Sequence, residues 1–344
     1  MTFRHARNSR KTECGANQWL TQVKVRAAPF ALCGVTTLLC AARVFAAPND
    51  CDRACLKTTL DQYLNAVIKH DPSAAPLFTG FRQTENAVVV RTGAGMWKTV
   101  TGLGKLQRRY LDAVSGQAGY FGIVEEGSES AIVTVRVKVE RRKITEAEWL
   151  IARKGDPGLN GFTATGQPSG NFFEPDNLAA HPPPDKVVAK EARSSREAMV
   201  AATNSYFDGI TSHDGAIIMA HPGCMRVENG RTVTGQNAAK GTSTDCTSNL
   251  ANINIQMVAA RRYPVVDEEA GVVLAIAVFL RKPGTTTRRN ALSEWFVIED
   301  NKIRSVYSAM FCPTPDAAVP NWPPYDGNWP LPAGLAPPSP ASAR

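Results

Sequence analysis

The chain begins its structured part with a pattern of apolar residues that recur three, four and seven positions apart. This spacing places them on one face and predicts an amphipathic helix. The apolar positions are Leu56, Leu60, Tyr63, Leu64, Val67 and Ile68. Asp71-Pro72 follows directly. An aspartate before a proline is typical of an N-cap, so a second, short helix is predicted there.

Strand patterns follow the helices. In residues 131–140, four valines alternate with Thr134, Arg136, Lys138 and Glu140. Such alternation predicts an antiparallel strand with one solvated face. Apolar runs at 87–90 and 119–126 predict two further strands. Residues 272–280 are apolar at every position, so both faces of that strand should be covered, by the other copy or by the C-terminal tail.

The same pattern returns with a constant shift of 143 residues. No gap is needed in this comparison as far as residue 126. It matches Tyr63 with Tyr206, His70-Asp71 with His213-Asp214, Glu85-Asn86 with Glu228-Asn229, and Tyr120 with Tyr263. Beyond it, Glu148-Trp149 could match Glu294-Trp295, or KITEAEW could match KIRSVYS with an additional strand in copy two. The sequence leaves these two alignments open.

Helices followed by antiparallel strands predict an α+β layer domain, here present twice. We expect a signal peptide at 1–46, a first domain at 47–155, a Gly/Pro/Asn-rich linker at 156–194, a second domain at 195–312 and a Pro-rich tail at 313–344. We also expect the two domains to pack on each other.

Several stretches resemble known families. YLNAVIKHDPSAAPLF, then strands ending in KITEAEWLIAR, resembles the nuclear-transport-factor-2-like superfamily, which includes ketosteroid isomerase, scytalone dehydratase and polyketide cyclases. HPGCMRVENG and RRYPVVDEEAGVVLA resemble a secreted two-domain family of bacteria and fungi without a known function. The resemblance implies two tandem cone-shaped domains, each with N-terminal helices on a curved antiparallel sheet beside a pocket. Because the superfamily contains enzymes and binding modules, it does not define the activity.

Charge is concentrated at the N-terminus. Residues 1–46 hold seven of the 39 Lys and Arg but one of the 31 Asp and Glu, which leaves a net charge of +2 on the remainder. Nothing in that balance favours a nucleic-acid partner. An apolar run follows Lys24 and Arg26 and ends before Val44-Phe45-Ala46. This layout predicts a signal peptide, secretion or periplasmic location, and no stable membrane insertion after cleavage.

Five of the eight cysteines follow the predicted cleavage site. Because an exported chain meets an oxidising compartment, disulfides are expected rather than a metal site. Cys224 and Cys246 are predicted to pair. Cys312 is then expected to pair with Cys51 or Cys55, with one thiol left over.

The candidate catalytic residues lie in the second copy. His221 has no counterpart in the first copy, where Phe78 stands, and histidine is suited to acid–base chemistry near neutral pH. Arg226 and Glu228 share a strand face and could hold a ligand. Tyr206 lies on the apolar stripe beside the expected pocket. The His-Asp pairs are predicted to be helix caps rather than catalytic groups.

Further residues are predicted to line the pockets and bind a ligand. They are Tyr63, Glu85, Asn86, Trp97, Tyr120, Asn229, Arg262 and Tyr263. Trp97 could either line the first pocket or fill it, and Asn229-Gly230 could be only a hairpin turn. The motifs of phosphate loops, zinc peptidases and serine hydrolases do not occur, so no metal or cofactor is predicted.

Two functions remain open at this level. The first is an isomerase, dehydratase, cyclase or lyase that acts on a small apolar metabolite by acid–base chemistry. The second is a non-catalytic binding or structural module, in which aromatic side chains fill both pockets.

Overall fold

The computed structural model describes residues 50–162, 168–235, 238, 244–282 and 290–312. The predicted signal peptide and the Pro-rich tail lie outside these described residues. All the described residues fall within one compact unit. Among them, no helix has the length and apolar character needed to cross a membrane.

The first half of this unit has two helices and a six-stranded sheet. The helices are α1 (Arg53–Ile68) and α2 (Met96–Thr99). The strands are β1 (Leu77–Glu85), β2 (Val88–Val90), β3 (Gly102–Asp112), β4 (Gln117–Glu126), β5 (Glu129–Glu140) and β6 (Lys143–Arg153). Their order in the sheet is β2-β1-β6-β5-β4-β3. Strands β1 and β6 run parallel, and the other neighbours are antiparallel.

A connector with its own structure leads to the second half. It contains β7 (Pro157–Phe162), β8 (Pro168–Gly170) and α3 (Pro175–Ala180). The second half consists of α4 (Arg196–Ser212), β9 (Ala220–Glu228), β10 (Arg231–Thr234), β11 (Ile255–Asp267), β12 (Val272–Arg281), β13 (Asn290–Glu299) and β14 (Lys302–Phe311). Its strand order, β10-β9-β14-β13-β12-β11, repeats that of the first half. The predicted fold class of tandem α+β domains is therefore confirmed, with one parallel pair in each otherwise antiparallel sheet.

The His-Asp pairs end the long helices in the same way in both halves. His70 and His213 have left-handed backbones, with φ of 54° and 59°. Asp71 and Asp214 each accept a hydrogen bond from the backbone of the short 3-10 turn that follows. The interpretation of these pairs as caps is consistent with this geometry. The predicted second helix is this single 3-10 turn.

The repeat keeps its shift of 143 residues only as far as β2 and β10. The segment between β10 and β11, residues 235–254, is longer than the segment between β2 and β3, residues 91–101, which includes α2. This difference in length moves all later strands out of register. The predicted match of Tyr120 with Tyr263 was therefore wrong, because Tyr120 lies on β4 and Tyr263 on β11, the counterpart of β3.

The strand pairing also decides the alignment that the sequence left open. Strand β14 corresponds to β6, since each is the parallel neighbour of the first strand of its sheet. Trp149 lies between Glu85 and Val135 on neighbouring strands, and Ser308 lies between Glu228 and Glu294. Trp149 therefore corresponds to Ser308, and Val135 corresponds to Glu294.

Each long helix covers one face of its own sheet, and the other faces of the two sheets pack together. A single apolar cluster contains side chains from both, among them Tyr110, Phe121 and Trp295. Thr134, on the face of β5 that was predicted to be solvated, is 1% exposed and accepts a hydrogen bond from Trp295 Nε1 at 2.8 Å. That prediction was wrong, because alternation in one strand does not reveal a second sheet on its polar face.

Two reciprocal ion pairs join the halves. Arg53 at the start of α1 forms two hydrogen bonds with Asp267, at 2.7 and 3.1 Å. Arg196, its counterpart at the start of α4, bonds Asp112 in the same way at 2.9 and 2.6 Å. Such an exchange of equivalent contacts is the pattern of a two-fold symmetric interface, here within one chain.

The residues that the structure describes contain two disulfides. Cys224 is joined to Cys246, the pair predicted from the sequence. Cys51 is joined to Cys55, with 5.1 Å between the Cα atoms, a separation that suits a disulfide. The expectation that one of these two pairs with Cys312 was therefore wrong.

Candidate functional site

A cavity of about 500 Å³ lies between α4 and the inner face of the second sheet. This volume is within the range of small-molecule sites. Its polar wall includes Tyr206, Arg226, Glu228, Arg281, Asn290 and Glu294. Its apolar wall includes Ile210, Leu250, Ile253, Phe279, Leu292 and Met310. The cavity thus combines apolar surface with a few converging polar groups.

Four of the polar side chains form a cluster around Arg226. Its Nη1 donates to the Tyr206 hydroxyl at 3.0 Å, and its Nε lies 2.9 Å from Glu228 Oε1. Arg226 and Glu228 share a face of β9 because side chains alternate along a strand. Glu294 comes from β13, where Ser308 of β14 lies between it and Glu228. A guanidinium, a phenol and two carboxyl groups therefore meet on one wall.

Three buried polar atoms of this wall lack a hydrogen-bond partner. They are Arg226 Nε, Asn290 Nδ2 and Glu294 Oε2, the full set of such side-chain atoms among the described residues. Arg226 Nε is close to Glu228 Oε1, but its N–H does not point along that line. Because buried polar groups are nearly always hydrogen-bonded, unsatisfied atoms in a native structure require an explanation. All three atoms belong to residues that line the same cavity.

Burial changes the proton affinity of the cluster. Glu294 is 4% exposed. Desolvation raises the pKa of its carboxyl group to about 8, although the Arg226 charge acts in the opposite direction. Burial also raises the pKa of the Tyr206 hydroxyl, while Arg226 lowers it. At neutral pH Glu294 is therefore mostly protonated and can donate a hydrogen bond or a proton.

The long loop after β10 builds one side of the cavity. Ser248, Asn249, Leu250 and other residues of this loop line it. The Cys224–Cys246 disulfide joins the loop to β9, the strand that carries Arg226 and Glu228. The loop that disturbs the repeat is thus also the element that gives the second half its cavity wall.

The equivalent space in the first half is filled. Trp97 and Trp149 are both 0% exposed, and their indole nitrogens donate to Gln83 and to the Tyr63 hydroxyl at 2.7 and 2.9 Å. Tyr63 donates to Gln83 Oε1 at 2.8 Å, and Gln83 Nε2 donates to Glu85. Each of these polar groups is hydrogen-bonded within the protein. Trp97 therefore fills the first pocket, and the side chains of Tyr63 and Glu85 bind protein atoms.

The predicted Glu-Asn motif has a structural part and a functional part. The side-chain amide of Asn86 forms two hydrogen bonds with the backbone of Ile151 on β6. The amide of Asn229 forms the same two bonds with the backbone of Met310 on β14. Both groups of each amide are thus used within the protein, and we give these asparagines no ligand-binding role in the proposal below. Only Glu228 of the motif lines the cavity.

His221 lies away from the cluster. It is near the start of β9, and its Nε2 is 2.9 Å from the backbone oxygen of Glu299. It is not among the residues that line the cavity. The sequence brought it near Glu228, but Ala220, beside His221, pairs with Ile303 of β14, whereas Glu228 pairs with Ser308. Five residues of strand, about 17 Å, separate those two positions. We therefore give His221 no role in the chemistry of the cavity.

Three other predicted ligand-binding residues have partners within the protein. The Tyr120 hydroxyl donates to the backbone oxygen of Ile123 at 2.9 Å. Tyr263 donates to Asn204 at 2.6 Å. Arg262 bonds Glu148 of the first half at 2.6 Å. None of the three lines the cavity, so their residue types are explained by contacts that stabilise the fold.

Sequence reasoning missed Glu294, Arg281 and Asn290. Glu294 was matched with Glu148 and so treated as part of the repeat. The available signal was a lone acidic residue within the apolar strand ALSEWFVI, since charged residues are rarely buried without a function or a partner. Arg281 and Asn290 lie on either side of the segment 283–289, which falls outside the described residues.

Comparison with known proteins gives one family match. Residues 192–310 match a family described as a domain of unknown function (DUF8021). The matched region covers the second half and includes the whole cluster around Arg226. No curated protein matches the chain.

Three solved structures are similar in part. They are a protein from Sphaerobacter thermophilus (11% identity, 33% of this chain and 96% of that chain, TM-score 0.26), a cystatin-like protein of unknown function from Methylobium petroleophilum (15%, 37% and 82%, 0.27) and an NTF2-like protein from Cytophaga hutchinsonii (12%, 34% and 98%, 0.24). Each similarity covers about a third of this chain. The fold class rests on the repeated strand order described above.

Proposed function

We propose that the second half binds a small molecule in the cavity and moves a proton on it. The observation that carries this proposal is the presence of three buried polar atoms without partners on the wall of one cavity. A ligand with polar atoms at these positions would complete their hydrogen bonds. Two carboxyl groups in different environments supply the acid and the base.

The roles follow from the environment of each side chain. Glu228 takes a proton from a carbon beside a carbonyl group. Glu294, protonated at neutral pH, gives its proton to the carbonyl oxygen, which yields an enol and an ionised Glu294. Arg226 and Tyr206 orient the oxygen atoms and stabilise the negative charge that develops. Where the substrate carries a carbon–carbon double bond next to that carbon, the product of this step is a dienol. Return of the proton from Glu228 to the far carbon of the dienol, with the hydroxyl proton returning to Glu294, would complete an isomerisation.

A non-catalytic role is favoured for the first half. Its equivalent space contains Trp97 and Trp149 in a closed hydrogen-bond network. We propose that this half supports the second through the shared apolar cluster and the reciprocal ion pairs. The alternative is that neither half is catalytic. In that case the cavity of the second half would bind a ligand and release it without chemical change.

We also propose that the protein works in the periplasm or outside the cell. The two disulfides support this location, since such bonds persist in oxidising compartments. The signal peptide predicted from the sequence agrees with it.

Proton exchange in D₂O tests the proposed chemistry. The full chain after the predicted cleavage site is incubated with levulinate, longer keto acids and the corresponding ketones, and loss of the protons beside the carbonyl is followed by NMR. We expect exchange that is lost in Glu228→Gln and Glu294→Gln. Glu85→Gln, the equivalent change in the first half, should retain it.

Two results of this experiment would contradict the proposal. If any compound binds but exchange is no faster than without protein, the cavity is a binding site only. If Glu228→Gln and Glu85→Gln reduce exchange equally, the chemistry does not belong to the second cavity.

A further inference from the structure

The cavity has a second polar end that the proposed chemistry does not use. Asn290, Leu292 and Glu294 alternate along β13 and so lie on one face of the sheet. Asn290 and Glu294 are four residues apart, which is about 13 Å along a strand. Asn290 pairs with Phe279 of β12, and Arg281 follows two residues later. The polar group of Arg281 and Asn290 thus lies at the opposite end from Glu294.

Asn290 offers a fixed donor at this end. It is 0% exposed, and its Oδ1 accepts a hydrogen bond from Arg281 Nη2 at 2.5 Å. Because that bond occupies the oxygen, the orientation of the amide is set and Nδ2 is the remaining group. Nδ2 has no hydrogen-bond partner among the described residues. A buried donor without a partner is costly, and an acceptor atom of a ligand in the cavity would remove this cost.

The wall between the two ends is apolar. Leu292 lies between Asn290 and Glu294 on β13. Phe279 and Met310 also line the cavity. A ligand that spans the cavity must therefore be polar at both ends and apolar between them.

We propose that Arg281 and Asn290 bind the carboxylate of an elongated substrate whose carbonyl group lies at Arg226, Glu228 and Glu294. The inference rests on the proposed function for the reacting end alone. The guanidinium favours a negative charge, and the amide N–H of Asn290 donates to one carboxylate oxygen. The substrate class is thus a medium-chain keto carboxylate rather than a neutral apolar metabolite.

Binding of octanoate and of methyl octanoate tests this subsite, because the two probes share a chain and differ in charge. Titration calorimetry on the full mature chain should show octanoate binding at least about 10-fold more tightly, as expected for a hydrogen bond to a charged group. Asn290→Asp keeps an acceptor for Arg281 and should fold, but it replaces the donor by a negative charge. This variant should lose the preference for octanoate, whereas Glu85→Gln, in the first half, should retain it.

The outcomes separate this inference from the proposed function. Equal affinity for the two probes, failure of octanoate to bind, or an unchanged preference in Asn290→Asp would overturn the carboxylate subsite even if proton exchange is observed. A preference that depends on Asn290, together with no proton exchange, would support the subsite and refute the chemistry. Thermal unfolding of Asn290→Asp establishes that the variant is folded.

Discussion

The two halves of this protein share a strand order but use the space under the helix in opposite ways. In the first half, Trp97 and Trp149 fill it and are fully buried. In the second half, the same space is a cavity of about 500 Å³ lined by charged groups. The comparison shows which differences between the copies convert a core into a site.

Three equivalent positions account for much of the difference. Trp149 corresponds to Ser308, which removes the side chain that would fill the cavity. Val135 corresponds to Glu294, which places a carboxyl group in the wall. Gln83 corresponds to Arg226, which replaces a neutral hydrogen-bonding group by a charged donor. In the first half Tyr63 links Trp149 to Gln83 by hydrogen bonds, and in the second half Arg226 and Glu294 each keep an unsatisfied atom.

The largest expected effect concerns the aromatic filling of the first half. Trp149→Ser would leave a void and remove the hydrogen bond to Tyr63, so the free energy of unfolding should fall by about 4 kcal/mol. Ser308→Ala, at the equivalent position beside the cavity, should cost less than about 1 kcal/mol. Chemical denaturation followed by circular dichroism measures both. If both variants lost a similar free energy of unfolding, the two positions would be packed alike and the contrast between core and cavity would be wrong.

The next effect is the pH dependence that Glu294 imposes on the second half. Its pKa is about 8 in the folded protein, against the ordinary value of 4.5 for a glutamate side chain. The folded state therefore holds this proton more tightly than the unfolded chain, and stability falls as the pH rises from about 4.5 towards 8. The loss should amount to roughly 3–5 kcal/mol.

Glu294→Gln stays neutral and should lack this loss. The stability of the variant relative to the wild type should thus increase between pH 5 and pH 8, as measured by denaturation across this range. Parallel curves for the two proteins would mean that Glu294 is already ionised in the folded state.

The two disulfides provide a smaller contrast between the halves. Cys224–Cys246 has a sequence separation of 22, and Cys51–Cys55 has one of 4. In the chain-entropy model the longer loop contributes about 3 kcal/mol and the shorter about 2 kcal/mol. Replacing each pair by alanine should lower the unfolding temperature more for the longer loop, and only that change should weaken octanoate binding. If both replacements weakened octanoate binding equally, the loop closed by Cys224–Cys246 would have no specific role in shaping the cavity.

The smallest effect tests the symmetry that relates the halves. Double-mutant cycles for Arg53 with Asp267 and for Arg196 with Asp112 should give similar coupling energies of about 1–2 kcal/mol. The carboxylates are 0% and 1% exposed, and the arginines are 32% and 26% exposed. Couplings that differ several-fold would show that only one of these contacts stabilises the interface.

Local patterns in the sequence predicted much of the fold. The apolar stripe of α1, the caps at Asp71 and Asp214, and the doubling of the chain all depend on residues that are close in sequence. The pairing of distant strands was harder to predict, because a longer loop after β10 changes the register without a local signal. The covered face of β5 was missed for the same reason.

The candidate site was predicted only in part. Tyr206, Arg226 and Glu228 come from two elements whose periodicity places them on an inner face, and all three line the cavity. Glu294 and Asn290 join them through the pairing of β13 with β12 and β14. Such neighbours are separated by many residues in the chain, so no spacing rule identifies them. His221 shows the converse, since it is near Glu228 in sequence and distant along the strand.

We expect a ligand to enter the cavity of the second half and not the filled core of the first. The most direct test is methyl NMR of the mature chain, labelled at isoleucine and methionine, during titration with octanoate. We expect shifts of Ile210 and Met310, which line the cavity, with no change at Met96 and Ile144 in the first core. Shifts of Met96 and Ile144, or none at Ile210 and Met310, would contradict it.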